Sequence, residues 1–247
     1  MPASGSPTTG RTRAFTLIEL LAVIAIIGIL GAILIPTTAS ARIAAKKAMT
    51  RNQFAQWATA IEAFRQEYGY YPTFETTGAN ANKVNGNTQG NGNLAQVHRF
   101  YETLVGTRRD GQALTGAATG TPTPPLGQNT RRIPFISFTD ADIVPATTTD
   151  PNLTTKRGLI RDAFDNTDIA VLMDRNLDGA VKSGTVGGDS ITTLPGVRPA
   201  DNPNGQAIMP AQADFPNAQQ GGVRTGVLFY CAPPRATTNA DLLLSWK

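Results

Sequence analysis

The chain has 247 residues, a net charge of +4, one cysteine and one histidine. This mildly basic balance does not indicate a nucleic-acid-binding protein, so no nucleic acid is expected among its partners. Cys231 alone cannot form an internal disulfide, so the fold is expected to depend on a single hydrophobic core.

An apolar segment at residues 15–35 contains a single charged residue, Glu19. At about 1.5 Å rise per residue, a helix of this length matches the thickness of a bilayer core. It exceeds the roughly 7–15 apolar residues of a signal peptide, and no small-residue cleavage site follows it in the usual position. The segment is therefore predicted to be a retained membrane span, in which an ionisable group such as Glu19 is costly and needs a role.

The sequence RTRA, followed by FTLIE and an apolar run that ends at Pro36, is very similar to the processing region of type IV prepilins and type II secretion pseudopilins. The resemblance implies a leader at residues 1–14, cleavage between Ala14 and Phe15 by a prepilin peptidase, and N-methylation of the new amino terminus. The family usually has glycine where this sequence has Ala14. Glu19 matches the acidic position that pairs with a neighbouring subunit's amino terminus, and Pro36 matches the helix-kinking proline.

The resemblance also implies location and partners. It predicts a single-pass protein of the bacterial inner membrane, with the leader cytoplasmic and the C-terminal domain periplasmic, which later enters a filament in the periplasm or at the cell surface. The implied partners are the prepilin peptidase, other pilin or pseudopilin subunits, the inner-membrane assembly platform and membrane lipid. The alternative interpretation is an ordinary signal anchor with a chance glutamate.

A basic run follows the span and includes Arg42, Lys46, Lys47 and Arg51. A simple positive-inside count would place the leader outside the cytoplasm, but the processing motif requires a cytoplasmic leader and is given more weight. Three interpretations of the run stay open: a solvated helix face, contact with lipid headgroups, or contact with acidic residues of a neighbouring subunit.

The helix is predicted to continue beyond the membrane, because residues 37–68 contain no glycine or proline. Large apolar residues recur there at spacings of three and four, which predicts a buried stripe that forms the floor of the soluble core. They are Phe54, Trp57, Ile61, Phe64 and Tyr68. Gly69 and Pro72 are expected to end the helix.

The remainder is predicted to be a globular domain at residues 72–247, after a membrane-spanning and assembly segment at 15–36 and an amphipathic continuation at 37–71. Residues 94–106 have a helical period that includes His98, whereas residues 169–173 and 227–232 have the length and composition of buried strands. Residues 135–138 suggest an extended segment, and two long polar loops cover residues 78–93 and 183–226. The predicted fold class is α+β and pilin-like, with a long N-terminal helix packed on a small antiparallel sheet with long loops.

Residues 174–179 fit the D-x-[DN]-x-[DN]-G opening of a calcium loop, with Asp174, Asn176 and Asp178 as side-chain ligands. The Ala180 carbonyl would be a fourth ligand, and water or a distant acid such as Asp189 or Asp241 would complete the site. Position twelve is Thr185 rather than a bidentate glutamate, so the loop is not a full EF-hand. The alternative is a simple hairpin turn at Asp178-Gly179 between two strands.

Two further resemblances concern the pseudopilins. Their major subunits have a calcium site in the C-terminal loops of the globular domain, so the resemblance implies Ca²⁺ as the cofactor here. Residues 161–166, RDAFDN, resemble the D-x-W-G-N segment of those proteins, with Phe164 and Asp165 where tryptophan and glycine are expected.

The predicted function is a structural subunit that polymerises into a type II secretion pseudopilus or a type IV pilus. No enzyme is predicted, because His98 has no cysteine or serine context that suggests a catalytic site. Two alternatives are a surface adhesin or binding module with a pilin anchor, and a signal-anchored periplasmic protein that does not polymerise.

Overall fold

The structure is a computed structural model that describes residues 16–74, 82–86, 98–111, 128–151, 153–184, 189, 191, 194–215 and 221–247, without the side chains of 34–37. Its helices are α1 (Leu17–Tyr68) and α2 (Arg99–Val105), and its strands are β1 (Ile169–Met173), β2 (Val227–Cys231) and β3 (Leu243–Leu244). Short 3-10 turns lie at Thr154–Lys156 and Asn239–Asp241. This is an α+β architecture with a long N-terminal helix and a small antiparallel sheet, which confirms the predicted fold class.

Helix α1 has 52 residues and continues past the apolar segment, as the absence of glycine and proline from residues 37–68 predicts. It ends at Tyr68, and the next residue, Gly69, has a φ of +80° and donates its backbone N–H to the Arg65 carbonyl at 2.7 Å. Among the described residues, α1 is the helix long and apolar enough to cross a membrane. The chain divides into two compact units between Ala45 and Lys46, and the predicted boundaries after residues 14, 36 and 71 stay predictions.

The second unit has its hydrophobic core between the C-terminal part of α1 and the sheet. Four residues of the predicted stripe, Phe54, Trp57, Ile61 and Phe64, are buried, and the fifth, Tyr68, is partly buried and packs against the same cluster. The ring of Phe229 on β2 is stacked on Phe54 with centroids 5.4 Å apart, and it meets Trp57 edge-on at 5.6 Å. The stripe is therefore the surface on which the sheet packs.

The sheet has the order β1-β2-β3, and both of its interfaces are antiparallel. Every residue of β1 and β2 is buried, because alternate side chains enter two different hydrophobic clusters. Val171 and Phe229 belong to the cluster that contains the α1 stripe, whereas Leu172 and Leu228 belong to a second cluster. The second cluster includes Val197, Ile208 and Phe215, so part of the predicted loop at 183–226 covers the other face of the sheet.

Helix α2 confirms the short helix predicted at residues 94–106, although residues 94–97 lie outside the described residues. His98 is fully buried at its N-cap, where Nδ1 accepts the Tyr101 N–H and Nε2 lies 2.9 Å from Oδ1 of Asn85. Burial lowers the pKa of His98 well below 6.5, so the ring is neutral. His98 therefore has a structural role at the start of α2.

The segment predicted to be extended, residues 135–138, forms no strand in the structure. Phe135 donates its backbone N–H to the Leu104 carbonyl at 2.8 Å, and its ring meets Phe64 with centroids 5.5 Å apart. The apolar residues of this segment thus contribute side chains to the core without joining the sheet.

Glu62, Tyr71 and Gly226 form a close contact between α1 and the start of β2. Tyr71 donates its hydroxyl to Oε1 of Glu62 at 2.7 Å, and Arg65 donates Nε to Oε2 at 2.8 Å. A Cβ at position 226 would lie 2.0 Å from both Oε1 of Glu62 and the Tyr71 hydroxyl oxygen. Glycine at this position is what allows the backbone before β2 to approach α1.

We predict that Gly226→Ala destabilises the globular unit by about 1–3 kcal/mol, because the added methyl group overpacks this contact. The measurement is urea unfolding of the full chain in detergent, with tryptophan fluorescence as the readout. Tyr71→Phe removes one of the two oxygens that the new methyl group would contact. Gly226→Ala should therefore lower the free energy of unfolding by less in a Tyr71→Phe protein than in the wild type. A Gly226→Ala protein as stable as the wild type would contradict this account of the contact.

Glu102 on α2 is a second buried polar residue of structural interest. The residue is 2% exposed, and none of the described residues donates a hydrogen bond to its Oε1. Burial raises the pKa of Glu102 to about 7, and the His98 N–H and the guanidinium groups of Arg109 and Arg108 oppose this shift. The folded chain therefore keeps this proton at pH values where the unfolded chain has lost it, so stability decreases as pH rises from 4.5 through about 7.

We predict that Glu102→Gln removes this pH dependence, because the amide keeps the shape of the protonated carboxyl and does not ionise. The melting temperature of the variant should exceed that of the wild type above a pH of about 7, and the difference should diminish towards pH 4.5. Glu67→Gln is the control, since Glu67 pairs with Arg131 at the surface. A difference between Glu102→Gln and wild type that is constant with pH would contradict the prediction.

Candidate functional site

The predicted cleavage site at Ala14 and Phe15 lies outside the described residues, and Thr16 is the first residue that the structure describes. Thr16 donates its backbone N–H and its hydroxyl to Oε2 of Glu19, both at 2.8 Å. The Glu19 N–H in turn donates to the Thr16 hydroxyl oxygen at 3.3 Å. These reciprocal bonds form a capping box, which satisfies the backbone donors at the start of α1.

The structure thus assigns Glu19 a partner within its own chain. The resemblance relates Glu19 only to a neighbouring subunit and does not point to Thr16. The T-x-x-E spacing of Thr16 and Glu19 is the signal that would have found this cap.

Pro36 lies between the first and last residues of α1, so its backbone is part of the helix. Its side chain lies outside the described residues. The kink that the resemblance implies at Pro36 stays a prediction.

The predicted calcium ligands all lie in one loop, which begins directly after β1 and which we define as residues 174–182. Asp174 accepts the Asp178 N–H at 3.1 Å through Oδ1 and the Gly179 N–H at 2.8 Å through Oδ2. The Asn176 side-chain carbonyl also accepts the Asp178 N–H, at 3.1 Å. The side-chain oxygens of the first two predicted ligands therefore bond to the backbone of the loop itself.

The third predicted ligand, Asp178, is also engaged. Its Oδ1 accepts the Ala180 N–H at 3.2 Å, and its Oδ2 accepts the Asn176 side-chain amide at 3.0 Å and the Lys182 ammonium. The positive charge of the Lys182 ammonium therefore contacts an oxygen that was predicted to bind the metal ion.

The two acids proposed to complete the site lie in different surroundings. Asp189 is buried beside the 174–182 loop and accepts the N–H groups of Arg175 at 2.7 Å, Asn176 at 3.2 Å and Lys182 at 2.6 Å. Asp241 instead caps the turn before β3, where it accepts bonds from Thr237 and Thr238. Within the described part of the chain, no three His, Cys, Asp or Glu side chains are arranged to hold one metal ion.

Each of the three predicted side-chain ligands keeps a lone pair beyond its hydrogen bonds, so the calcium site stays a prediction. Thr185, at the twelfth position, lies outside the described residues. The hairpin alternative is not what forms, since Val181 pairs with Val223 and β1 pairs with β2. The segment that follows the turn is thus joined to a distant part of the chain by a single bridge.

The RDAFDN segment forms a tight loop in which Asp165 has a φ of +62°, a left-handed conformation that favours glycine. Asp162 accepts the N–H groups of Phe164 at 2.8 Å and Asn166 at 2.9 Å. The Asn166 amide donates to the carbonyls of Arg198 and Ala232, both at 2.9 Å. Asp165 therefore has a left-handed backbone at the position where the resemblance implies glycine.

Comparison with known proteins identifies one family model, that of the prokaryotic N-terminal methylation motif, which matches residues 10–35. The chain carries this motif. It is the prepilin-type cleavage and methylation signature of type IV pilins and pseudopilins, and the match includes Ala14, Phe15 and Glu19. No curated protein and no solved structure matches the chain.

The motif and the apolar N-terminal part of α1 fit a pilin-like protein that is anchored in a membrane. The matched region includes the capping box of Thr16 and Glu19 and ends one residue before Pro36. It does not include the globular unit, whose described fold is known from its own geometry.

Proposed function

We propose that this chain is a pilin-like structural subunit that is cleaved between Ala14 and Phe15, N-methylated and polymerised into a type II secretion pseudopilus or a type IV pilus. The observation that carries the proposal is the methylation motif at residues 10–35, placed at the start of a helix that continues into a globular unit. The motif marks structural pilin-type proteins, which favours a structural role over an enzymatic one.

The proposed assembly begins in the inner membrane. The N-terminal part of α1 exposes large apolar side chains on all sides, including Leu17, Ile24 and Leu30. Lipid covers such a surface before assembly, and the apolar segments of neighbouring subunits replace the lipid in a filament. Because lipid and neighbouring helices are both apolar, this exchange by itself gives little direction to assembly.

The charges of the N-terminus supply that direction in the proposal. Cleavage after Ala14 creates a positive amino terminus at Phe15, and the Glu19 carboxylate of a neighbour provides the opposite charge. Two opposite charges in a low-dielectric environment cost less together than apart. The leader blocks that amine before cleavage, so the prepilin peptidase acts as the switch that permits assembly.

The proposed partners and location follow from this route. The peptidase and the assembly platform act at the inner membrane, where the leader faces the cytoplasm and the globular unit faces the periplasm. Other pilin or pseudopilin subunits then surround α1 in a filament, which lies in the periplasm or extends from the cell surface.

The first test is mass spectrometry of the mature amino terminus, with the protein purified from membranes of its native host. We expect a chain that begins with N-methylated Phe15. Ala14→Leu is the control, because a large side chain next to the cut should hinder cleavage and preserve the leader. A wild-type chain that retains its leader would contradict processing and favour a signal-anchored protein that does not polymerise.

The second test removes the carboxylate of Glu19. Glu19→Val should insert into the membrane and lose its leader normally, because it makes the span more apolar. Its incorporation into filaments should fall strongly, because the neighbour's amine then has no carboxylate to meet. The measurement is the fraction of subunits in sheared or cross-linked filaments.

Leu20→Val is the matched control for Glu19→Val, since it changes an adjacent exposed apolar residue of α1 and keeps the carboxylate. It should enter filaments like the wild type. Wild-type incorporation of Glu19→Val would overturn the role assigned to the carboxylate, while leaving the cleavage result intact.

A further inference from the structure

Arg51 is an exposed cation of α1 that has no acidic partner in the described part of its own chain. The ion pairs of the described residues involve neither Arg51 nor the other three cations of the basic run. Helix α1 has no acidic residue between Glu19 and Glu62, so no carboxylate lies one helical turn from Arg51. The charge of Arg51 is thus available to a partner outside the chain.

An open cleft of about 440 Å³ lies beside the same part of α1, and we call it the α1 cleft. One wall is α1 itself, with Met49, Gln53 and Gln56, and the other wall comes from residues 139–142 and 161–165. The charged residues that line it are three acids and two bases, namely Asp142, Asp162, Asp165, Lys46 and Arg161. Acidic groups therefore outnumber basic groups in the α1 cleft.

Both bases of the α1 cleft are already engaged within the chain. The Lys46 ammonium lies 5.8 Å from the centre of the Phe164 ring. Arg161 donates Nη1 to Oδ1 of Asp165 at 2.8 Å and Nε to the Ala141 carbonyl at 3.0 Å. The Asp165 side chain is nevertheless 47% exposed, and none of the described residues donates to its Oδ2. An ionised carboxylate accepts about four hydrogen bonds, so Asp165 has room for a second cation.

Arg51 and the α1 cleft lie on opposite sides of the helix. At 3.6 residues per turn, a separation of two residues places Arg51 about 160° around the axis from Met49 and from Gln53. Arg51 therefore points away from the cleft of its own chain. A cation on one side of a subunit and an acidic cleft on the other side are suited to a head-to-tail contact, which repeats without closing and builds a filament.

We propose that the α1 cleft receives the Arg51 guanidinium of a neighbouring copy of this chain, and that this guanidinium pairs with Asp165. The inference rests on the proposed filament, to which it adds a contact between globular units. A guanidinium has five donors and no acceptor, which suits an acidic cleft. An anionic lipid headgroup is the other candidate partner of Arg51, but it would leave the cleft without a cation.

The proposed contact at Glu19 agrees with this placement. If the amine of Phe15 meets a neighbour's Glu19, the two subunits are offset by about four residues, or about 6 Å along α1. In a helical filament the same axial shift applies to every residue of a subunit. Arg51 of one subunit then lies level with residue 55 of its neighbour, between Gln53 and Gln56 of the α1 cleft.

The experiment measures the fraction of full-length subunits that enter filaments in the native host. Arg51→Glu should lower this fraction about tenfold, because like charges then face each other across the contact. The double variant Arg51→Glu, Asp165→Lys restores opposite charges and should recover most of the incorporation. Asp165 has a left-handed backbone, so the melting temperature of each variant in detergent shows whether its globular unit is folded. Asp165→Asn keeps a residue type that tolerates this backbone, and it should lower incorporation several-fold by itself.

Arg224→Glu is the matched control, because Arg224 is also exposed and has no ion pair among the described residues. It should enter filaments like the wild type. Incorporation of Arg51→Glu equal to that of Arg224→Glu would overturn the inference, and so would wild-type incorporation of Asp165→Asn. A loss that a folded double variant does not restore would overturn the assignment to the α1 cleft and favour lipid as the partner of Arg51.

The same experiment separates this inference from the proposed function. Arg51→Glu should still lose its leader and begin at Phe15, because the change lies far along the chain from the cut. A wild-type chain that is absent from filaments would contradict the proposed function and this inference together. A wild type and an Arg51→Glu variant that polymerise equally would contradict this inference alone.

Discussion

The globular unit depends on the packing of the α1 stripe against β2. Phe54 and Trp57 are both in contact with Phe229, and all three rings are buried. Truncation of a buried aromatic side chain to alanine typically costs about 3–5 kcal/mol, which is a large share of the stability of one domain. Helix α1 supplies this surface from the same continuous helix that carries the apolar N-terminal segment, so one element provides both the candidate membrane span and one wall of the core.

The sheet imposes the next requirement, since β1 and β2 are apolar on both faces and each face needs a cover. Helix α1 and the rings around Phe100 cover one face, and Val197, Ile208 and Phe215 belong to the cluster on the other. These three residues belong to the segment at 183–226, which is rich in glycine, proline and polar residues. Such a segment can cover a sheet face, because a few apolar side chains at suitable positions are enough. The core is therefore built from two layers of different kinds, one helical and one irregular.

The sequence was sufficient for features that depend on local spacing. The extent of α1 and its stripe follow from the helical period, and β1 and β2 follow from short apolar runs of strand length. The pairing of Ile169 with Cys231 was not predictable, because it joins residues far apart in the chain and depends on the whole core. The same limit applies to the 174–182 loop, where residue types alone do not reveal that the oxygens of Asp174 face the loop's own amides. The cap formed by Thr16, in contrast, has a local sequence signal, which is its T-x-x-E spacing to Glu19.

The cap at the start of α1 has a consequence for the proposed filament. Both bonds from Thr16 reach the same oxygen of Glu19, and an ionised carboxylate can accept about four hydrogen bonds. A neighbour's amino terminus can therefore approach Glu19 without displacing Thr16. In lipid this matters, because a carboxylate already bonded to two donors is less costly to keep in the membrane before a partner arrives. The cap would thus lower the cost of storing the subunit and keep the carboxylate oriented at the end of α1, where the incoming amine must find it.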